Sequence, residues 1–150
     1  MHLGIGTIKT VQQAEDFITA GADFIVSPII NPGVAAVAHQ AGLLWCPGCM
    51  TPTEIHLAQH NNAQLIKLFP ANILGPGFVS SIKELFPGQL FMPTGGVELN
   101  FDNISTWFKS GVCAVGLGSK LITKDIMAKA LYDQLYLDTV EALKLVQAAR

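Results

Sequence analysis

The sequence predicts an α/β fold in which helices cover a parallel sheet, and three observations carry that prediction. Short apolar runs and amphipathic helical stretches alternate six times along the 150 residues. Strict alternation at roughly 20–25 residues per unit is the pattern of parallel strands joined by helical crossovers. Glycine stands between helix and strand at Gly21-Ala22, Gly42-Leu43 and Gly111-Val112, as a cap feeding a short loop does. Nearly every post-strand turn is built from small or hydroxyl-bearing residues.

In order, the strand candidates are residues 3–7, 24–26, 43–46, 65–69, 90–92 and 112–116. The helix candidates are 11–20, 32–40, 52–59, 76–85 and 101–109. Pro32, Pro52 and Pro76 each follow a polar residue or glycine, the usual signature of a first helical turn. A tail over 125–149 carries Leu135, Val140, Leu143 and Val146 at helical spacing, with a break expected near Tyr132. A (β/α) barrel and an open doubly wound sheet both satisfy this alternation. The glycine and hydroxyl content of the post-strand loops favours the barrel, whose chemistry lies on its βα loops.

Half the residues are hydrophobic and 13% are charged, so a single globular domain over residues 1–150 is expected. A formal charge of −2 argues against a nucleic-acid or membrane surface. Arg150 is the sole arginine. No apolar stretch approaches the roughly 20 residues of a membrane helix, and no signal-peptide layout is visible. Three cysteines without an even framework fit a reducing cytoplasm.

Lys67 interrupts the apolar run Leu65-Ile66-Lys67-Leu68-Phe69-Pro70, which reads as a short strand buried on both faces. Burying an ammonium is costly unless it is paired or loses its charge. A free lysine is only about 0.04% neutral amine at pH 7, whereas a pKa near 7 would leave about half of it nucleophilic. Desolvated lysines are the usual Schiff-base nucleophiles toward ketones. The structural alternative is a lysine that meets a buried carboxylate or ends in water.

Two loops after the last strands, Pro93-Thr94-Gly95-Gly96 and Gly116-Leu117-Gly118-Ser119, suit a phosphate or carboxylate gripped by backbone N–H groups. Ordinary tight turns are the alternative. Cys46-Pro47-Gly48-Cys49 is a CxxC between strand and helix, which opens a redox reading. A tight turn explains it equally well. His56 and His60 stand four apart but lack a neighbouring glutamate, so a solvated helix face is expected rather than a metal site.

Taken in order, Gly4-Ile5-Gly6-Thr7, Ile25-Val26-Ser27-Pro28, Cys46-Pro47-Gly48, Lys67-Leu68-Phe69-Pro70-Ala71, Pro93-Thr94-Gly95-Gly96 and Gly118-Ser119 form a pattern. It resembles the 2-keto-3-deoxy-6-phosphogluconate aldolases, also described as 4-hydroxy-2-oxoglutarate aldolases. The resemblance implies a class I aldolase of the (β/α)8 TIM-barrel family that uses neither metal nor cofactor, in a cytoplasmic homo-oligomer, usually a trimer. Its partners would be a small ketoacid or phosphorylated sugar acid. Lys67 would be catalytic, forming the Schiff base. Thr7 and Thr94 would contact the carboxylate, and Pro28 and Phe69 would shape the apolar side. Gly95, Gly96, Gly118 and Ser119 would hold the phosphate.

One departure matters. Six βα units are visible where the family has eight, and the first two units are the ones expected to be lacking. In the family they carry a general acid/base glutamate and an anion-binding arginine without counterparts here. Glu54 and Glu98 are the acidic residues nearest the loops. The rival to an aldolase is therefore an impaired remnant that binds a small phosphate or ketoacid anion and self-assembles.

Overall fold

A computed structural model of the protein describes residues 2–150. Six short strands build two parallel three-stranded sheets. The first holds β1 (Gly4–Ile5), β2 (Phe24–Val26) and β3 (Leu44–Cys46), and the second β4 (Gly48–Cys49), β5 (Leu65–Leu68) and β6 (Leu90–Pro93). Only Pro47 separates β3 from β4. Proline has no N–H for the ladder, so one strand is divided there. Its carbonyl still accepts from the Lys67 amide at 2.9 Å. Strands thus neighbour one another in chain order, with no reversal of the kind that marks a doubly wound sheet.

Helices α1 (Val11–Thr19), α2 (Pro32–Gln40), α3 (Pro52–His60) and α5 (Phe101–Ser110) fall where the sequence places them, within a residue or so. Local chemistry explains the precision. Thr10 and Thr51 each form a reciprocal capping box with the side chain three residues on. Gly111 ends α5 in the left-handed region at φ 111°.

Three expectations are corrected. The stretch 112–116 is not a strand: it makes one parallel bridge, Thr94 with Gly116. The amides of Cys113 and Gly116 bond the carbonyls of Phe91 and Pro93. Donors three apart thus meet acceptors two apart, and the extra residue breaks the ladder. The helix expected at 76–85 is α4 (Ala71–Ile82), kinked at Gly75 and followed by a 3-10 turn at Lys83–Leu85. Pro76 opens only its second segment. Finally, β5 is sealed on one face alone: Ile66 and Leu68 are buried, while Leu65 and Lys67 are half-buried. The tail divides as expected, into α6 (Lys124–Ala128) and α7 (Tyr132–Ala149), with Ala130 between them at φ 51°.

The core lies between the sheet and its helices. Ile25, Trp45, Ile66, Leu68 and Phe91 face Ala14, Val34, Ala38, Ile55, Ala58 and Ile104 in one buried cluster. Trp45 keeps its indole N–H satisfied by the buried Ser27 hydroxyl at 3.1 Å. On the other side of the strands the residues are less covered, with Leu44 36% and Leu90 49% exposed.

Candidate active site

Strand register assembles the site around Lys67. Lys67 stands opposite Gly48 of β4 and Met92 of β6. Gly48 must lack a side chain, because a Cβ there would fall 2.5 Å from the Pro28 carbonyl oxygen. That contact brings Pro28, at the end of β2, across the strand next to Lys67. The Lys67 ammonium group lies 4.4 Å from the centre of the Phe69 ring. None of the ion pairs among the described residues includes it. Burial lowers its pKa from the ordinary 10.5, against an opposing pull from the Cys46 thiolate form. A cation–π contact favours the charged form by only about 0.5–1 kcal/mol when exposed, so desolvation sets the direction.

Thr94 follows β6 and is locked by its backbone: its amide donates to Leu68 and its carbonyl accepts from Ala71, both at 3.0 Å. Its hydroxyl is buried without a hydrogen-bond partner. Buried polar atoms are nearly always paired, so such an orphan marks a place where a ligand atom is expected. Gly96 is required where it stands. Its φ is 89°, and a Cβ would lie 2.5 Å from that of Asn72. Gly116 carries the other loop past the Thr94 hydroxyl, which a Cβ would approach to 2.5 Å. Beyond it Gly118 and Ser119 are exposed, and the Gly118 carbonyl closes a turn onto the amides of Leu121 and Ile122 at 2.9 and 2.8 Å.

Thr7 is exposed just past β1 and holds φ at 64°. A β-branched residue in the left-handed region is a genuine strain, of the kind that collects at functional sites. Strand register and these backbone contacts thus set Phe69, Pro28 and Thr94 on the elements that flank Lys67. A Cβ on Gly95 would lie 3.8 Å from the Phe69 ring and Gly96 packs on Asn72, while Gly118 and Ser119 follow the Thr94–Gly116 bridge and Thr7 lies on the β1 side.

Comparison with known proteins shows the family. The family model described as KDPG and KHG aldolase matches residues 1–137. The chain belongs to the KDPG and KHG aldolase family. It is 37% identical over 121 residues to a probable 2-dehydro-3-deoxy-6-phosphogalactonate aldolase of Rhizobium meliloti, across 79% of this chain and 56% of that protein. It is 31% identical over 149 residues to a 2-dehydro-3-deoxy-phosphogluconate aldolase of Pseudomonas aeruginosa, across 96% of this chain and 65% of the relative. A solved structure described as native KDPGal superposes with a TM-score of 0.86 at 28% identity, over 97% of this chain and 68% of that one. The chain thus spans between about half and two thirds of the length of these aldolases.

Against that family background, other candidate groups resolve. Cys46 and Cys49 are free and buried, and burial pushes their thiols up to about 11 and about 12. Reactive cysteines need the opposite shift, so the redox reading loses its chemistry. His60 turns its Nδ1 to the His56 carbonyl at 3.0 Å on an exposed helix face. Glu54 is consumed by the start of α3. Partial burial raises its pKa, but the amides of Met50 and Thr51 and the Thr51 hydroxyl outweigh this and hold it ionised below the usual range. It is a poor general base. Gly48 and Gly116 stand in loops the sequence points to but carry no role of their own there, and Asn72 only follows the run that ends at Ala71; all three shape the site. Their roles come from close approaches across strands, which spacing along one strand does not reveal.

Proposed function

We propose that this aldolase-family chain carries the Schiff-base half of a class I, pyruvate-forming aldolase, with Lys67 as nucleophile. The observation behind this reading is a half-buried amine of lowered pKa, outside every ion pair of the described residues, with the orphaned buried Thr94 hydroxyl at the end of the neighbouring strand. The neutral amine attacks the C2 ketone of a 2-keto-3-deoxy acid, and loss of water gives an iminium. Deprotonation of the C4 hydroxyl breaks the C3–C4 bond, the electron pair flows into the iminium, and an aldehyde leaves. The resulting enamine is protonated at C3, and hydrolysis frees pyruvate and Lys67. Thr94 and Thr7 hold the carboxylate, while Phe69 and Pro28 exclude water from the amine. Gly95, Gly96, Gly118 and Ser119 receive the phosphate. The names of the relatives support 2-keto-3-deoxy-6-phosphogluconate or its galactonate counterpart, giving pyruvate and glyceraldehyde 3-phosphate. The ketoacid end alone also suits 4-hydroxy-2-oxoglutarate, giving pyruvate and glyoxylate.

The same reading makes the chain part of a (β/α)8 barrel, with five strand positions once β3 and β4 count as one and a sixth marked by the Thr94–Gly116 bridge, working in a homo-oligomer such as a trimer. Chain-order strand pairing, the half-covered inner face and the share of each relative matched all support it. With Glu54 committed to a helix cap and Glu98 facing Lys120 at 3.7 Å, neither acid offers Lys67 a general acid/base. That group is typically worth 10²–10⁴-fold, so the 150 residues alone turn over slowly while still forming the Schiff base. Incubation with pyruvate and borohydride, followed by mass spectrometry of the digest, tests this. An adduct on Lys67 is expected. No adduct, or one on another lysine, overturns the proposal.

A further inference from the structure

We propose that Lys120 is the cation that selects a phosphorylated substrate, and that Glu98 holds it at the rim until phosphate arrives. This rests on the reading above that the two glycine loops face the distal phosphate. Lys120 directly follows Ser119, and Glu98 comes two residues after Gly96. Their side chains meet at 3.7 Å, so one ion pair joins the outer rims of both loops. At their base the loops are tied by the Thr94–Gly116 bridge and the bond from the Gly116 amide to the Pro93 carbonyl at 2.8 Å.

The pair is built to exchange. It is long, with side chains 58% and 51% exposed, and such pairs are weak. Glu98 is the fixed member: Asn103 accepts from its amide at 3.0 Å and Asn100 donates to its carboxylate at 3.3 Å. Among the described residues Lys120 has no other partner, which leaves it the end free to move. Loop amides orient a phosphate but supply no full charge, whereas an ammonium adds a charge-assisted bond to the dianion. Three other cations have roles elsewhere, and Lys124, at the start of α6, lies outside both loops. Arg150 donates to the Cys113 carbonyl at 3.2 Å, Lys129 pairs with Asp125 at 2.8 Å, and Lys67 is assigned to the ketone.

Two measurements on the full chain test the assignment. In the first, borohydride traps 2-keto-3-deoxy-6-phosphogluconate or unphosphorylated 2-keto-3-deoxygluconate on Lys67, and the half-saturating concentrations are compared. Lys120→Met should weaken the phosphorylated compound about five- to tenfold, the size of one charge-assisted bond at an exposed site. Lys120→Arg should largely restore it. Glu98→Gln should tighten it, because the competing carboxylate is gone. Lys124→Met, at an exposed lysine outside the loops, serves as the control. A Lys120→Met protein with the wild-type preference overturns the assignment. In the second, inorganic phosphate should raise the unfolding midpoint of wild type but not of Lys120→Met. Equal protection of both, or of neither, overturns it even if no adduct forms. A missing adduct with phosphate protection intact counts against Lys67 alone.

Discussion

At the scale of single residues, Lys67 is held where its charge is unwelcome and no carboxylate compensates it. A lysine with a depressed folded pKa binds fewer protons when folded than unfolded. Stability therefore rises with pH from the folded pKa toward the unfolded value near 10.5. Replacing Lys67 with Met removes the penalty, so the variant should unfold at higher urea than wild type at pH 7, with the gap closing as pH rises. A less stable variant would mean that the amine is paired after all. Cys46 and Cys49 give the opposite slope. Their folded thiols sit at about 11 and about 12 against an ordinary 9.0. The folded state holds those protons longer, so stability present below pH 9 is lost as pH rises through 11 to 12. Cys49→Ala should flatten that alkaline loss in a pH series of thermal melts, and an unchanged slope would contradict the burial argument.

Elements show why the loops can be so small. Gly96 works only without a side chain, since it combines positive φ with a 2.5 Å approach to Asn72. Gly96→Ala should cost about 2–3 kcal/mol in urea unfolding, more than a surface change. Thr51→Ala should cost about 1 kcal/mol by opening the capping box of α3, and should also release Glu54. The starts of α2 and α3 were legible because proline after a polar residue is a local signal, and the caps at Thr10, Asn31, Thr51 and Asn100 are likewise closed within three residues. The lysine strand and its glycine loops were legible for the same reason. The broken ladder at 112–116 was not, because the missing N–H belongs to Pro93 on the neighbouring strand and the extra residue is visible only against it. Nor was the kink at Gly75, since the helix begins five residues before the proline that looked like its start. The open face of β5 depends on what stands across the sheet, which no short-range pattern encodes.

For the whole molecule, apolar surface is left over. Leu3 is 68% exposed ahead of β1, Leu44 and Leu90 are 36% and 49% exposed at strand starts, and Tyr132, Tyr136 and Leu143 are exposed on α7. Exposed apolar area of this kind favours association. The chain should therefore sediment above its 16.0 kDa monomer mass at micromolar concentration. A single species at monomer mass over that range would contradict the proposed homo-oligomer.

Direct titration of the Lys67 amine tests the central claim most simply. With lysine labelled at Cε, the resonance lost in Lys67→Met should titrate with a midpoint below the ordinary 10.5, apart from the solvent-exposed lysines. A midpoint at or above 10.5 would mean a charged, well-solvated ammonium. Lys67 would then have no nucleophile to offer near neutral pH.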